Sequence, residues 1–181
     1  DKKATINEND GIVYVNFRPD RMRQLLNTFK VKDFQHFPVK KFENLKICTM
    51  FNVYKGIPYA FDMEEIKNTF GEYINGLEFK QARIAETEKY NHVTYFMDAE
   101  RNVEFDLEEK VLIPSPNVAT FDMKPEMSAV EITDALLPIL GDFDVVILNW
   151  ANGDMVGHTG NMNATMRAME VLDSQLERLV K

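Results

Sequence analysis

Cysteine occurs once in the 181 residues, at position 48, so no disulfide framework can brace the chain internally. The fold must rest on burial, and the shortage fits a reducing compartment. Cys48 lies inside an apolar run and reads as a small core residue. Long hydrophobic runs are missing too, and none approaches the length of a membrane-spanning helix. Basic residues are outnumbered: 21 Lys and Arg against 29 Asp and Glu leave a net charge of −8. That speaks against nucleic acid, whose footprint is a basic patch or stripe. The start, Asp1-Lys2-Lys3, has neither an apolar signal region nor a Met. The end, Lys181, falls within a helical pattern, so the sequence reads as a piece of something longer. Internal repeats and low-complexity tracts are absent.

What is present is ordinary for a folded domain: 45% hydrophobic and 28% charged residues, enough apolar material for one or two cores. After a polar loop to Gly11, Ile12–Phe17 reads as a strand. Pro19 then stops it and opens a helix over Met22–Phe29, with Leu25, Leu26 and Phe29 at helical spacing. Leu45–Tyr54 is a second strand and Lys55–Pro58 a turn. A short helix over Glu64–Phe70 is expected to end at Gly71. Phe79–Ala85 is a moderate strand, and periodicity leaves His92–Met97 open. Asp98–Lys110 reads as an acidic loop or hairpin, and the prolines make Leu112–Pro116 extended. Pro125–Leu140 is a helix. Asp144–Leu148 reads as a strand buried on both faces. Met162, Met169, Leu172, Leu176 and Leu179 mark a long amphipathic helix. Alternating strands and helices predict an α/β fold, with a mostly parallel sheet covered on both faces.

The chemistry gathers where strands end. After Asp144–Leu148 comes Asn149-Trp150-Ala151-Asn152-Gly153-Asp154-Met155-Val156-Gly157-His158-Thr159-Gly160. Asp154 and His158, four apart, share one side of a helix or compact turn. A carboxylate and an imidazole suit Mn²⁺, Zn²⁺ or Fe²⁺ better than Ca²⁺; the alternative is a capping Asp beside a surface His. Gly153, Gly157 and Gly160 suggest close backbone approach to a ligand. Arg18 and Arg21, around Asp20, stand at another strand-to-helix transition. Their forks can grip a phosphate or carboxylate, or simply pair with Asp20. Lys89, in Glu86-Thr87-Glu88-Lys89-Tyr90, either neutralises a phosphate or pairs with Glu86 or Glu88. His36 reads as an exposed loop histidine.

Five motifs stand in one order. They are Asn16-Phe17-Arg18-Pro19-Asp20-Arg21, Arg83-Ile84-Ala85-Glu86-Thr87-Glu88-Lys89-Tyr90, Ile113-Pro114-Ser115-Pro116, Pro125-Glu126-Met127-Ser128-Ala129 and Asp154-Met155-Val156-Gly157-His158-Thr159-Gly160. Together they resemble the cofactor-independent phosphoglycerate mutases of the alkaline phosphatase superfamily. The resemblance implies a cytoplasmic, monomeric, glycolytic enzyme interconverting 3- and 2-phosphoglycerate without bisphosphoglycerate. It implies two Mn²⁺ ions and a serine nucleophile that carries the phosphoryl group. It implies the end of a phosphotransferase domain over residues 1–60 and part of a phosphatase-like domain over 61–181, with a hinge near Pro58–Asp62. Carried over by motif, Arg18, Asp20 and Arg21 belong to substrate binding, Lys89 contacts the phosphoryl group, and Asp154 and His158 ligate one metal. The family usually has Pro at the position of Gly153. Counterparts of the serine nucleophile and of the remaining metal ligands are not found, so no catalytic nucleophile is assigned and the piece alone is expected to be inactive. Another phosphomutase or phosphodiesterase of the superfamily, or a non-catalytic metal- or phosphate-binding module, are the competing readings.

Overall fold

The computed structural model describes residues 5–181; the first four residues of the expected N-terminal loop lie outside them. The chain divides into two compact units, one ending at Glu65 and one spanning Ile66–Lys181.

The first unit pairs two short parallel strands, β1 (Gly11–Tyr14) and β2 (Lys46–Thr49), with Ile12 opposite Ile47. Helix α1 (Pro19–Lys30) starts on the expected proline, whose missing N–H costs nothing in a first turn. It buries Met22 and Leu26, one turn apart, against Ile47, Val53 and Ile57. Both strands are shorter than expected. Val15 and Phe17 are exposed, and Cys48 is only half-buried, because the buried positions of β2 are its neighbours Ile47 and Thr49. Tyr59 bridges to Thr49, and the amides of Ala60 and Phe61 donate to Thr49 and Met50, so Pro58–Phe61 is tied to this unit.

The second unit is built on a parallel sheet in the order β4 (Glu108–Ile113), β3 (Gln81–Glu86), β5 (Val145–Asn149). The middle strand is buried along its whole length. Its Ile84 face meets Ile132 and Leu136 of α4 (Ala129–Leu136), with Leu179 of α6 (Met162–Val180) packed against the same cluster. Its Gln81 and Arg83 face meets Gly71 of α2 (Phe70–Gly76) and Val93 of α3 (Tyr90–Val93). Helices therefore cover both faces.

Several expectations need correction. The helix expected over Glu64–Phe70 begins where it was meant to end. Thr69 caps it, and a reciprocal capping box with Glu72 fixes that start. The acidic stretch before Lys110 already contains the start of β4. β5 is half-buried throughout, not buried on both faces; β3 takes the central place. Helix α4 is shorter than Pro125–Leu140. In α6 the buried stripe is Ala164, Ala168, Val171 and Gln175, while Met162, Met169 and Leu176 are exposed. The alanines let α5 (Asn152–Gly157) sit close, in a cluster with Val156, Ala151 and Met127.

Candidate metal and phosphate site

Strand β3 leads into Thr87-Glu88-Lys89 and then α3, and β5 leads into α5. Both turns lie past the carboxyl ends of neighbouring parallel strands. Asp154 and His158 fall one turn apart on and just after α5, and the His158 amide donates to the Asp154 carbonyl at 3.0 Å. Their side chains meet, His158 Nε2 lying 3.1 Å from Asp154 Oδ1. On the other carboxylate oxygen sits the ammonium of Lys89. Lys89 thus pairs with neither Glu86 nor Glu88. Its side chain is only 13% exposed, against 50% for Asp154 and 76% for His158, so the lysine forms the floor and the imidazole the rim.

The hydrogen bond from Lys89 holds the Asp154 carboxyl below the usual carboxylate range. Burial opposes this, and the charges of Lys89, His158 and His92 add to it. His92, on α3 and edge-on to Phe96, is a neighbour that the sequence did not single out. Its only signal was its place one turn beyond Lys89, on a segment whose type was open. Beneath the site Glu86 is fully buried. Burial pushes its carboxyl up, against hydrogen bonds with Ser115 and Ser128, and Glu131 adds to the rise.

The arginine motif forms a separate cluster within the first unit. Arg18 stands at the N-cap of α1 and its amide donates to Asn16 Oδ1 at 2.8 Å. Its Nε faces both oxygens of Asp20, at 3.0 and 3.2 Å, and Arg21 Nε lies 3.7 Å from the same carboxylate. Partial burial pushes the Asp20 carboxyl up, but the Arg18 hydrogen bond and both guanidinium charges hold it below its ordinary value. Both guanidinium side chains remain more than half exposed. Arg21 also borders a groove of about 630 Å³ with Gln24, Phe34 and His36, and His36 is exposed as expected.

A family model described as the metalloenzyme superfamily matches residues 13–181. The chain belongs to the metalloenzyme superfamily. It is 49% identical, over 180 residues, to a 2,3-bisphosphoglycerate-independent phosphoglycerate mutase of Mycoplasma genitalium, covering 97% of this chain and 35% of that protein. It is 45% identical to the enzyme of the same description from Acinetobacter baylyi, with the same coverage. Among solved structures, Leishmania mexicana phosphoglycerate mutase at low cobalt concentration superposes with a TM-score of 0.78. That match is at 31% identity and covers 97% of this chain and 33% of the other. The metalloenzyme chain therefore spans about a third of the length of the relatives it matches. The expected alkaline-phosphatase-like α/β fold is borne out.

The donor set can be tested against a divalent metal. A carboxylate and an imidazole on one helical turn are a sound pair of ligands. Among the described residues, however, no group of three or more His, Cys, Asp and Glu side chains is placed to hold a metal. The pair fits a metal but does not close a shell around it. The expected role of the loop glycines is also narrowed. Only Gly160, at φ +73°, needs a left-handed backbone, and a Cβ on Gly153 would meet nothing closer than Met169 Sδ at 3.8 Å. Gly153 occupies the first turn of α5, where proline is tolerated.

Proposed function

We propose that this metalloenzyme chain is part of a 2,3-bisphosphoglycerate-independent phosphoglycerate mutase, interconverting 3- and 2-phosphoglycerate. The observation that carries the reading is the convergence of Lys89, Asp154 and His158 past the carboxyl ends of β3 and β5. Asp154 and His158 would hold one of two Mn²⁺ ions, which supply Lewis-acid neutralisation of charge on the transferring phosphoryl group. Lys89 places a further positive charge beside that group from a mostly buried position, where it is poorly screened. Phosphoryl transfer depends on such positioning and charge more than on covalent machinery. Arg18 and Arg21 grip phosphoglycerate through paired N–H donors, and Asp20 holds their forks in place between turnovers. The serine that carries the phosphoryl group is assigned to another part of the enzyme.

The domain assignment belongs to the same proposal: transferase domain over 1–60, phosphatase-like domain over 61–181, and a hinge at Pro58–Asp62. So do a cytoplasmic location and a monomeric state. Because no counterpart of the serine nucleophile is found and only two ligands assemble among the described residues, the 181-residue chain alone is expected to turn over no phosphoglycerate. The test is a coupled mutase assay on two preparations, the complete reading frame and this chain. Turnover by the first and none by the second supports the reading. No turnover by the complete protein, or turnover by the chain alone, refutes it.

A further inference from the structure

Lysine has a long flexible stem, so the direction of its ammonium depends on how firmly its backbone is held. Lys89 sits at the end of a three-residue turn, and the amides of that turn have distinct partners. Thr87 N donates to the Ile113 carbonyl at 3.0 Å and Lys89 N to the Glu86 carbonyl at 2.9 Å. Glu88 N donates to a side chain, the Ser115 hydroxyl, at 3.2 Å. In return Ser115 N donates to Thr87 Oγ1 at 3.2 Å. The two segments thus exchange hydrogen bonds through one residue.

The sequence around Ser115 makes that exchange stiff. Pro114 and Pro116 have fixed φ and no N–H, so Ser115 carries the single backbone donor of the Pro-Ser-Pro unit. A residue before proline is confined to extended backbone. The unit is anchored from beneath as well. Ser128 Oγ donates to the Pro114 carbonyl at 2.8 Å, and Ser128 N donates to the buried Glu86 carboxylate at 3.4 Å. Glu86 itself ends the central strand. Hydrogen bonds from the sheet to Ser128 and from Ser128 to Pro114, the Pro114–Ser115 peptide bond, and the hydrogen bonds of Ser115 therefore form a continuous path to the turn that aims Lys89 at Asp154.

We propose that Ser115 is a positioning residue for Lys89. Its hydroxyl and amide hold the Thr87–Lys89 turn so that the ammonium stays on the phosphoryl side of Asp154. The consequence for catalysis rests on the reading of Lys89 given above; the clamp itself does not. Removing the hydroxyl takes a hydrogen bond from the buried Glu86, leaves the Glu88 amide without its partner and lets the turn shift, with Lys89, by a fraction of an ångström. In a reaction governed by positioning, that displacement lowers turnover more than substrate binding.

The experiment uses the complete enzyme and the variants Ser115→Ala and Ser115→Thr, with steady-state kinetics and amide hydrogen exchange. Ser115→Ala is expected to lower kcat about tenfold, the kinetic equivalent of one hydrogen bond. KM for phosphoglycerate and Mn²⁺ affinity stay within twofold, and exchange at Glu88 accelerates. Ser115→Thr keeps the hydroxyl on a residue that favours extended backbone, so it restores both. An unchanged kcat, a loss that threonine does not restore, or unchanged exchange at Glu88 would overturn the proposal. If the wild-type enzyme shows no mutase turnover while Ser115→Ala still accelerates Glu88 exchange, the functional reading fails and the clamp stands.

Discussion

The guanidinium of Arg83 occupies the space that a side chain on Gly71 would need. A Cβ at that position would lie 2.1 Å from Arg83 Nη2 and 2.7 Å from the Phe105 ring. Arg83 cannot step aside freely. It is fully buried, and its Nη1 is held by Asp98 Oδ2 at 2.8 Å and by the Val93 carbonyl at 3.2 Å. Its Nε lies 2.6 Å from Glu108 Oε1.

Gly71→Ala is therefore expected to destabilise the fold by about 2–3 kcal/mol, the scale of overpacking a core that cannot relax. Urea unfolding of the variant beside the wild type measures this. A change of midpoint near zero would mean that α2 and Arg83 separate without cost.

That relationship also marks the limit of what the sequence could tell. The α/β class, the parallel arrangement and the start of α1 at Pro19 followed from periodicity and proline chemistry. The middle place of β3 did not, because Gln81, Arg83 and Glu86 make it look half-exposed. Arg83 is tolerated there only because Asp98 and Glu108, distant in sequence, arrive to pair with it. The same holds in the site. The four-residue spacing brought Asp154 and His158 together as expected. That Lys89 would turn from its sequence neighbours to Asp154, 65 positions away, depends on β3 and β5 lying side by side. The Ala164 and Ala168 stripe of α6 was hidden because methionines and leucines dominate a hydrophobicity reading, whereas α5 needs small residues for close approach.

Glu86 gives a dependence on pH. Burial raises its carboxyl above the unfolded value near 4.5, so folding favours proton binding at this group. Its contribution to stability is fully present below the unfolded value and is lost as pH rises through the folded one. Glu86→Gln should accordingly raise the unfolding midpoint at neutral pH and leave it nearly unchanged at pH about 4. Thermal unfolding across that range checks the sign. A glutamine variant less stable at neutral pH would show that the Ser115 and Ser128 hydrogen bonds outweigh burial.

In the complete enzyme Arg18→Ala should raise KM for phosphoglycerate about tenfold to a hundredfold, the worth of one charge-assisted grip. The change in kcat should be smaller. Asp20 loses its nearest cation in the same variant, and its carboxyl should rise toward the ordinary value. Steady-state kinetics and carboxyl titration by NMR read the two effects. A fall in kcat at constant KM would assign Arg18 to the transferring group.

Asp154 and His158 carry the proposed mechanism as ligands of one metal ion. The most direct measurement is calorimetric titration of Mn²⁺ into the complete enzyme and into its Asp154→Ala and His158→Ala variants. Two ions are expected in the wild type. Each variant should lose tight binding of one ion and all measurable turnover. Two ions bound with unchanged affinity in either variant would contradict that assignment.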